Sequence, residues 1–523
     1  MPQGQAATAA LREFAIIVDS ADNVAVAKTG VETGQTLSLD DGRHLTLTGA
    51  VTPGHRFAMR AIPAGDFVLQ YGQPIGTSRG IGEGDPITSL NMSNDVPVVR
   101  DLPAELHTPA PDPLHPSELV TWAGYRRADG RVGTRNFVLI VPTSMCASHE
   151  SQQIATLAEY TIYSREKFPN VDGIVAIPHN KGCGCSDGSN IEVMLRTLAN
   201  YAAHPNVGGV LFIGLGCEKT NLSAVERYLQ KEQLDLGKPV VRFGIQETGG
   251  TQAVIDRGLK EVAAMLPVVN EARRTEAAMS ELVLGVKCGG SDGFSGLSAN
   301  PALGRAADLL VRSGGTVVIT EVPEFCGAEH ILAQRARDRA TGEAVYAMVD
   351  WYKEYASKFG TVLNENPSPG NVAGGLLNIT IKSLGAIAKA GTTRVEGVVG
   401  YGEVPAGKGL WLMQGPGYDQ ESTPGLVAAG AQAVVFTTGR GTTIGNAIAP
   451  VIKLASNTPI HQRMSRDLDL SAGGIIDGTE TIDQVGARVF AHVRRVASGE
   501  ELARAEETKH REFGIWAEQS VSL

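Results

Sequence analysis

Several apolar runs in this 523-residue chain end on a cysteine or a charged residue. They are VPTSMC at Cys146, AIPHNKGC at Cys183, FIGLGCE at Cys217 and Glu218, GVKCGGSD from Cys288 to Asp292, VITEVPE at Glu324 and VVFTTGR at Arg440. In open parallel sheets ligands bind beyond the carboxyl ends of the strands, so side chains delivered there converge on a site. Thiolates bind borderline cations such as Fe²⁺ or Zn²⁺, whereas carboxylates suit Mg²⁺ or Ca²⁺, and a mixed set leaves the ion open. Cys183, Cys217, Cys288 and Asp292 are the candidate metal ligands. Each cysteine also has a plainer reading as a small core residue, because free cysteine is among the most buried residue types. Cys183 and Cys185 flank a single glycine, which is not the CxxC spacing of a zinc ribbon.

His179 precedes Cys183 by four residues, so one turn can present imidazole and sulfur together. His55 lies in the turn TPGHR and His330 in GAEHIL. The glycine-rich turns GCGCSDG, GLGCEKTN and CGGSDGFSG expose backbone N–H groups of the kind that hold carboxylates. The prolines of ENPSPGN stiffen a loop carrying Asn371. Arg440 offers a planar fork for a substrate carboxylate. GVVGYGEVPAGKG lacks the strand and helix that a dinucleotide fingerprint requires.

Positioning these residues takes three kinds of segment. Residues 13–94 read as short apolar runs split by DDG, TPGH, PAGD and GEGD, the texture of a small β-rich module. Residues 95–122 are proline-rich and aperiodic, as in an extended linker. From 123 onward, apolar runs such as NFVLIVPTS, GIVAIPHN and GGVLFIGLGC alternate with helix-length stretches, which indicates parallel strands buried on both faces. The expected fold is α/β: the β-rich module followed by a large α/β region with mostly parallel sheets, in a first part 123–275 and a second part 276–523. Whether those parts share one sheet is left open by the sequence. Trp516 in the tail is expected to pack on a neighbouring surface or subunit.

The composition sets limits on function. With 42% hydrophobic and 20% charged residues the chain is globular. Its 46 basic and 56 acidic residues give a net charge of -10 with no basic run, which argues against nucleic acid. No stretch of about 18 apolar residues predicts a membrane span. The beginning has no secretory pattern, so the expectation is a cytoplasmic protein with reduced thiols.

DNVAVA, GHRFA, GYRRADGRVGTRN, HNKGC, GLGCE, CGGSDGFSGLSANP, EVPEFCGAEH, ENPSPGN and FTTGRGT together resemble the altronate/galactarate dehydratase family. The resemblance runs from about residue 13 to the C-terminus. It implies an N-terminal SAF-type domain, a large catalytic part, and dehydration of hexonic or hexaric acids to 2-keto-3-deoxy acids with a divalent metal such as Fe²⁺ or Mn²⁺. The wording of EVPEFCGAEH and the ending EFGIWAEQSVSL look more altronate-type, with galactarate as the alternative substrate. Lys181 and Cys185 in PHNKGCGC depart from the expected pattern. The related sulfolactate sulfo-lyases divide the SAF and catalytic parts between chains.

Dehydrating a 2,3-dihydroxy acid requires loss of the C2 proton and departure of the C3 hydroxyl, hence a base and an acid. His55, His179 and Glu218 are the candidates for this catalysis, with Ser291, Asn371 and Arg440 positioning substrate. His55 reaches the site only if the small module closes over the large region. An alternative places three or four of Cys146, Cys183, Cys217 and Cys288 on an iron–sulfur cluster. A non-catalytic sugar-acid-binding protein is the reading from another class. The expected partner is a small sugar acid, not nucleic acid or membrane, and the expected assembly is a homo-oligomer.

Overall fold

The computed structural model describes residues 9–518. The N-terminal part folds as small three-stranded sheets. Val24–Ala27 lies between Ala15–Ile16 and Arg56–Ala58, while Phe67–Gln70, Gln73–Ser78 and Met92–Ser93 form another antiparallel set. Its own core includes Leu37, Leu45, Val51 and Phe57. This is the β-rich module that the short apolar runs predict.

The proline-rich connection does not hang free. His107 bridges to Asp338, Arg394 donates to the Thr108 carbonyl at 3.1 Å, and Arg312 donates to that of Asp112 at 2.9 Å. These contacts lay it along the surface of the second α/β part.

Two separate parallel sheets follow. The first has four strands in the order Gly173–Ala176, Phe137–Pro142, Val207–Gly214, Val240–Gly244. Phe137–Pro142 and Val207–Gly214 are buried along their full length, as strands covered by helices on both faces must be. Thr121–Arg126 pairs antiparallel with Arg274–Ala278, joining the entry and exit of this part. The second sheet has seven strands, with Val283–Cys288 at its centre between Thr316–Ile319 and Ala433–Thr438. Gly409–Met413 and Val395–Val399 extend one side, and Val451–Ala455 and Leu470–Ser471 the other. Every pairing in it is parallel.

Helix Ser189–Ala203 of the first sheet packs on helix Asp419–Ala428 of the second, and one hydrophobic core spans the two parts. Trp516 is buried within the chain itself, with its ring 6.0 Å from Trp351 and 5.3 Å from Tyr401. Among the described residues no helix is long and apolar enough to cross a membrane.

The β-rich module docks on the second part through its turn at Gly54. A Cβ added at Gly293 would lie 2.1 Å from the Gly54 carbonyl oxygen, so the two backbones meet with no room for a side chain. Arg56, fully buried, reaches across to the Gly375 carbonyl. Gly293→Val should therefore lift the module from its seat. The expected result is a loss of about 1–3 kcal/mol in thermal or urea unfolding and faster proteolysis within 95–120. Unchanged stability and protection would contradict the docking.

Candidate active site at the strand exits

The central strand Val283–Cys288 delivers Lys287 and Cys288, both fully buried, to its carboxyl end. The neighbouring strand ends at Ile319 and leads into Glu321, whose backbone is left-handed at φ 78°, a strained state for a non-glycine residue held by its surroundings. Pro323 then starts the short helix Val322–Phe325 that carries Glu324. Helix Ile379–Ile387 brings Lys382, and the turn Ala388–Ala390 brings Lys389.

These residues form one buried network. Lys287 pairs with Glu321, and with Asp419 at 2.7 Å. Lys389 donates to Glu321 at 2.9 Å and to the Cys288 sulfur at 3.1 Å. The Cys288 thiol donates to Glu324 at 3.1 Å, and Lys382 pairs with Glu324 at 2.8 Å. Three ammoniums thus face three carboxylates.

Burial opposes the charge of Lys287 and Lys389, but it is outweighed by Asp419, Glu321 and Glu324 around Lys287, and by Cys288, Glu321 and Glu324 around Lys389, which hold both above the ordinary lysine range. Burial, reinforced by Glu321 and Glu324, pushes the Cys288 thiol well above its usual range. Burial also opposes ionisation of Glu324, yet Lys382, Lys389 and Lys287 bring it down to about 2. Glu321 moves the other way, raised by burial and by Glu324.

Cys288, Glu321 and Glu324 place a sulfur and two carboxylate oxygens within 4.8 Å of one another, a set that could hold a metal ion. The Lys389 ammonium already bonds two of those three residues. A divalent ion taken up by the triad would have to displace Lys389.

The turn after Cys288 carries the other residues expected here. Asp292 is not a free ligand. Its Oδ1 accepts from the N–H groups of Phe294 and Ser295 and from the hydroxyls of Ser295 and Ser456 at 2.9–3.1 Å, and its Oδ2 accepts from Asn457 at 3.0 Å. Those bonds commit the carboxylate to shaping the turn. The Ser291 hydroxyl is buried without a partner. Asn371 donates to the Ser291 carbonyl at 2.8 Å and accepts from the N–H of Ser368, the residue that caps the short helix Pro369–Ala373.

Beside this turn lies a cavity of about 240 Å³ lined by Pro53, Asp292, Arg440, Asn457 and Arg463 among others. His55 stands half-buried next to Pro53, with Nε2 3.3 Å from the Ala373 carbonyl oxygen. The structure therefore brings together the regions of His55, Ser291, Asp292, Asn371 and Arg440.

It does not bring Cys183, Cys217, His179 or Glu218 to Cys288. These four sit at the exits of the four-stranded sheet, so the expected common ligand set is divided. His179 is also unsuited to proton transfer. Its Nε2 bonds the Pro142 carbonyl at 3.0 Å, its Nδ1 accepts from the Lys181 N–H at 3.2 Å, and burial lowers it to about 4. Glu218 is buried and accepts from Thr143 at 2.5 Å, Leu215 at 2.9 Å and Gly216 at 2.6 Å, which makes it a brace for its own turn.

The residues missed from sequence were Lys287, Glu321, Lys382 and Lys389. The signal was present: two lysines seven apart in the apolar run ITIKSLGAIAKA share a helical face and require buried partners. Lys389→Met should cost about 3–5 kcal/mol in urea unfolding, because it strands a buried charge. Adding Glu321→Gln should recover most of that loss, and a double variant no more stable than the single would show that the pair is not coupled.

Residues 13–95 match the altronate/galactarate dehydratase SAF domain family, 124–270 the D-galactarate dehydratase/altronate hydrolase second domain, and 279–521 the D-galactarate/altronate dehydratase C-terminal family. An altronate dehydratase of Bacillus subtilis (strain 168) is 36% identical over 508 residues, 96% of this chain and 98% of that protein. One of Escherichia coli (strain K12) is 35% identical over 508 residues, with the same shares of the two chains. The galactarate dehydratase (L-threo-forming) of Escherichia coli (strain K12) is 37% identical over 502 residues, 93% of each chain. With all three parts present in order and the match running nearly end to end, the chain belongs to the altronate/galactarate dehydratase family.

Proposed function

We propose that the protein is a hydro-lyase that converts altronate to its 2-keto-3-deoxy acid, with galactarate as the second reading. The observation that carries this is the arginine-bearing cavity at the Cys288–Asp292 turn, closed on one side by the His55 turn of the β-rich module. Arg440 and Arg463 line it and supply forks for a carboxylate. The unpartnered Ser291 hydroxyl is available to a sugar hydroxyl. We assign removal of the C2 proton to His55, a reading supported by its half-buried position two residues after Pro53, which lines the cavity. The buried lysine–carboxylate network fixes the turn against which substrate would lie. Two relatives named altronate dehydratase, each nearly coextensive with this chain, support altronate over galactarate.

The Fe²⁺ or Mn²⁺ expected from the resemblance belongs to this proposal as a requirement of the protein. The Cys288 triad does not take such an ion without losing Lys389.

The test is turnover of altronate, galactarate, glucarate and sulfolactate by chelator-treated protein resupplied with Fe²⁺, Mn²⁺ or Mg²⁺, scored for 2-keto-3-deoxy product. Altronate should give the highest kcat/KM, and Arg440→Lys should lower it about 10–100-fold through loss of the bidentate contact. No keto product from any of the sugar acids would overturn the reading.

A further inference from the structure

The four-stranded sheet has a strand-exit face that the proposed dehydration leaves unused. Three cysteines stand on it, one from each of three adjacent strands. Cys146 follows the inner strand Phe137–Pro142, Cys183 follows Gly173–Ala176 on one side, and Cys217 follows Val207–Gly214 on the other. All three are exposed, against the habit of free cysteine, whereas Cys185 and Cys288 are buried.

Their loops are tied into one crown. The Met145 N–H donates to the Lys181 carbonyl at 2.7 Å, joining the Cys146 and Cys183 loops. The Thr220 hydroxyl donates to the Thr143 carbonyl at 2.6 Å, and Thr143 donates to Glu218 at 2.5 Å, joining the Cys146 and Cys217 loops. His179 pins the Cys183 loop to the end of the inner strand through Pro142. His179 and Glu218 are thus positioning residues that hold three thiols at one end of the sheet.

Three observations point to an occupant. The Ser144 hydroxyl, two residues before Cys146, is fully buried with no partner. Gln246 donates an N–H to the Cys217 sulfur at 3.4 Å, the kind of contact that tunes cluster thiolates. Lys181 and Lys219 flank the crown with positive charge. Lys219 lies 3.2 Å from Asp187, and Lys181 reaches Glu421, whose carboxyl is raised by burial and drawn back by the lysine.

The chemistry of the donors and the exclusion of a single-ion geometry then favour one class of occupant. A single zinc ion holds its sulfurs at about 2.3 Å, drawing them close together. Among the described residues it is the Cys288 triad that meets the 4.8 Å mutual spacing of a single-ion site, and the crown sulfurs do not. A cubane gives each thiolate its own iron and spaces them farther apart. With His179 committed at both nitrogens, the donors these strand exits share are three sulfurs, which suits iron–sulfur clusters.

We propose that Cys146, Cys183 and Cys217 bind a [4Fe–4S]-type cluster through three thiolates, each thiol releasing its proton to solvent, with the fourth iron open to an oxygen ligand. Cys288 takes no part. Helix Asp419–Ala428 comes near the crown through Glu421, which feels the charge of Lys181, and it carries Asp419 against Lys287. The assignment goes beyond the sugar-acid reading and does not depend on it.

The test is anaerobic incubation of the full chain with ferrous and ferric salts and sodium sulfide, then desalting and assay of iron and acid-labile sulfide. About four irons and about four sulfides per chain are expected, with brown visible absorption. Cys146→Ala, Cys183→Ala and Cys217→Ala should each lose most of both, while Cys185→Ala, in the same loop but buried, keeps them. Circular dichroism verifies that each variant is folded. One iron per chain without sulfide would overturn the cluster, as would equal loading of the intact chain and the triple alanine variant. Full loading without turnover of any sugar acid would sink the dehydratase reading alone.

Discussion

The structure turns on a charge-balanced network sealed beneath the central strand of the larger sheet. Lys287, Lys382 and Lys389 face Glu321, Glu324 and Asp419, and most of these side chains are out of water. Removing one member of such a set leaves a buried charge with no partner, so the set constrains every element that contributes to it. Those elements are the central strand, its neighbour, the helix Ile379–Ile387 and the first turn of Asp419–Ala428. The left-handed backbone at Glu321 is maintained because its carboxylate is held from two sides.

From that frame the two strand-exit faces acquire different characters. Around Cys288 the lysines and carboxylates meet one another's charges, so this region serves as a rigid floor. The cavity with Arg440 and Arg463 opens beside that floor, and the β-rich module closes it through the contact of Gly54 with Gly293. On the smaller sheet three thiols are exposed, with Lys181 and Lys219 in their loops. The helix Asp419–Ala428 links the two, with Asp419 on Lys287 and Glu421 near Lys181.

Much of the fold was legible because strand periodicity and strand exits are local. The β-rich run, the parallel strands and the cysteines at their ends follow from apolar patterning. The convergence of particular exits is set by topology, which local pattern does not encode. Cys183 and Cys217 share a motif style with Cys288 yet belong to another sheet. Asp292 reads as a ligand and Glu218 as a catalyst because carboxylates after strands often serve so, but backbone N–H groups and hydroxyls take up their oxygens. The lysines escaped notice because a lysine in an apolar helix declares a buried partner without saying which one.

The central claim is that the module's His55 turn completes the site at the Cys288–Asp292 turn. Its most direct test is proton NMR of altronate in D₂O with intact protein and with His55→Gln of matching fold and iron content. The account predicts that the intact protein releases the C2 proton and forms a keto acid with deuterium at C3, and that the variant leaves the C2 proton in place. Loss of that proton at the intact rate in the His55→Gln protein would contradict it.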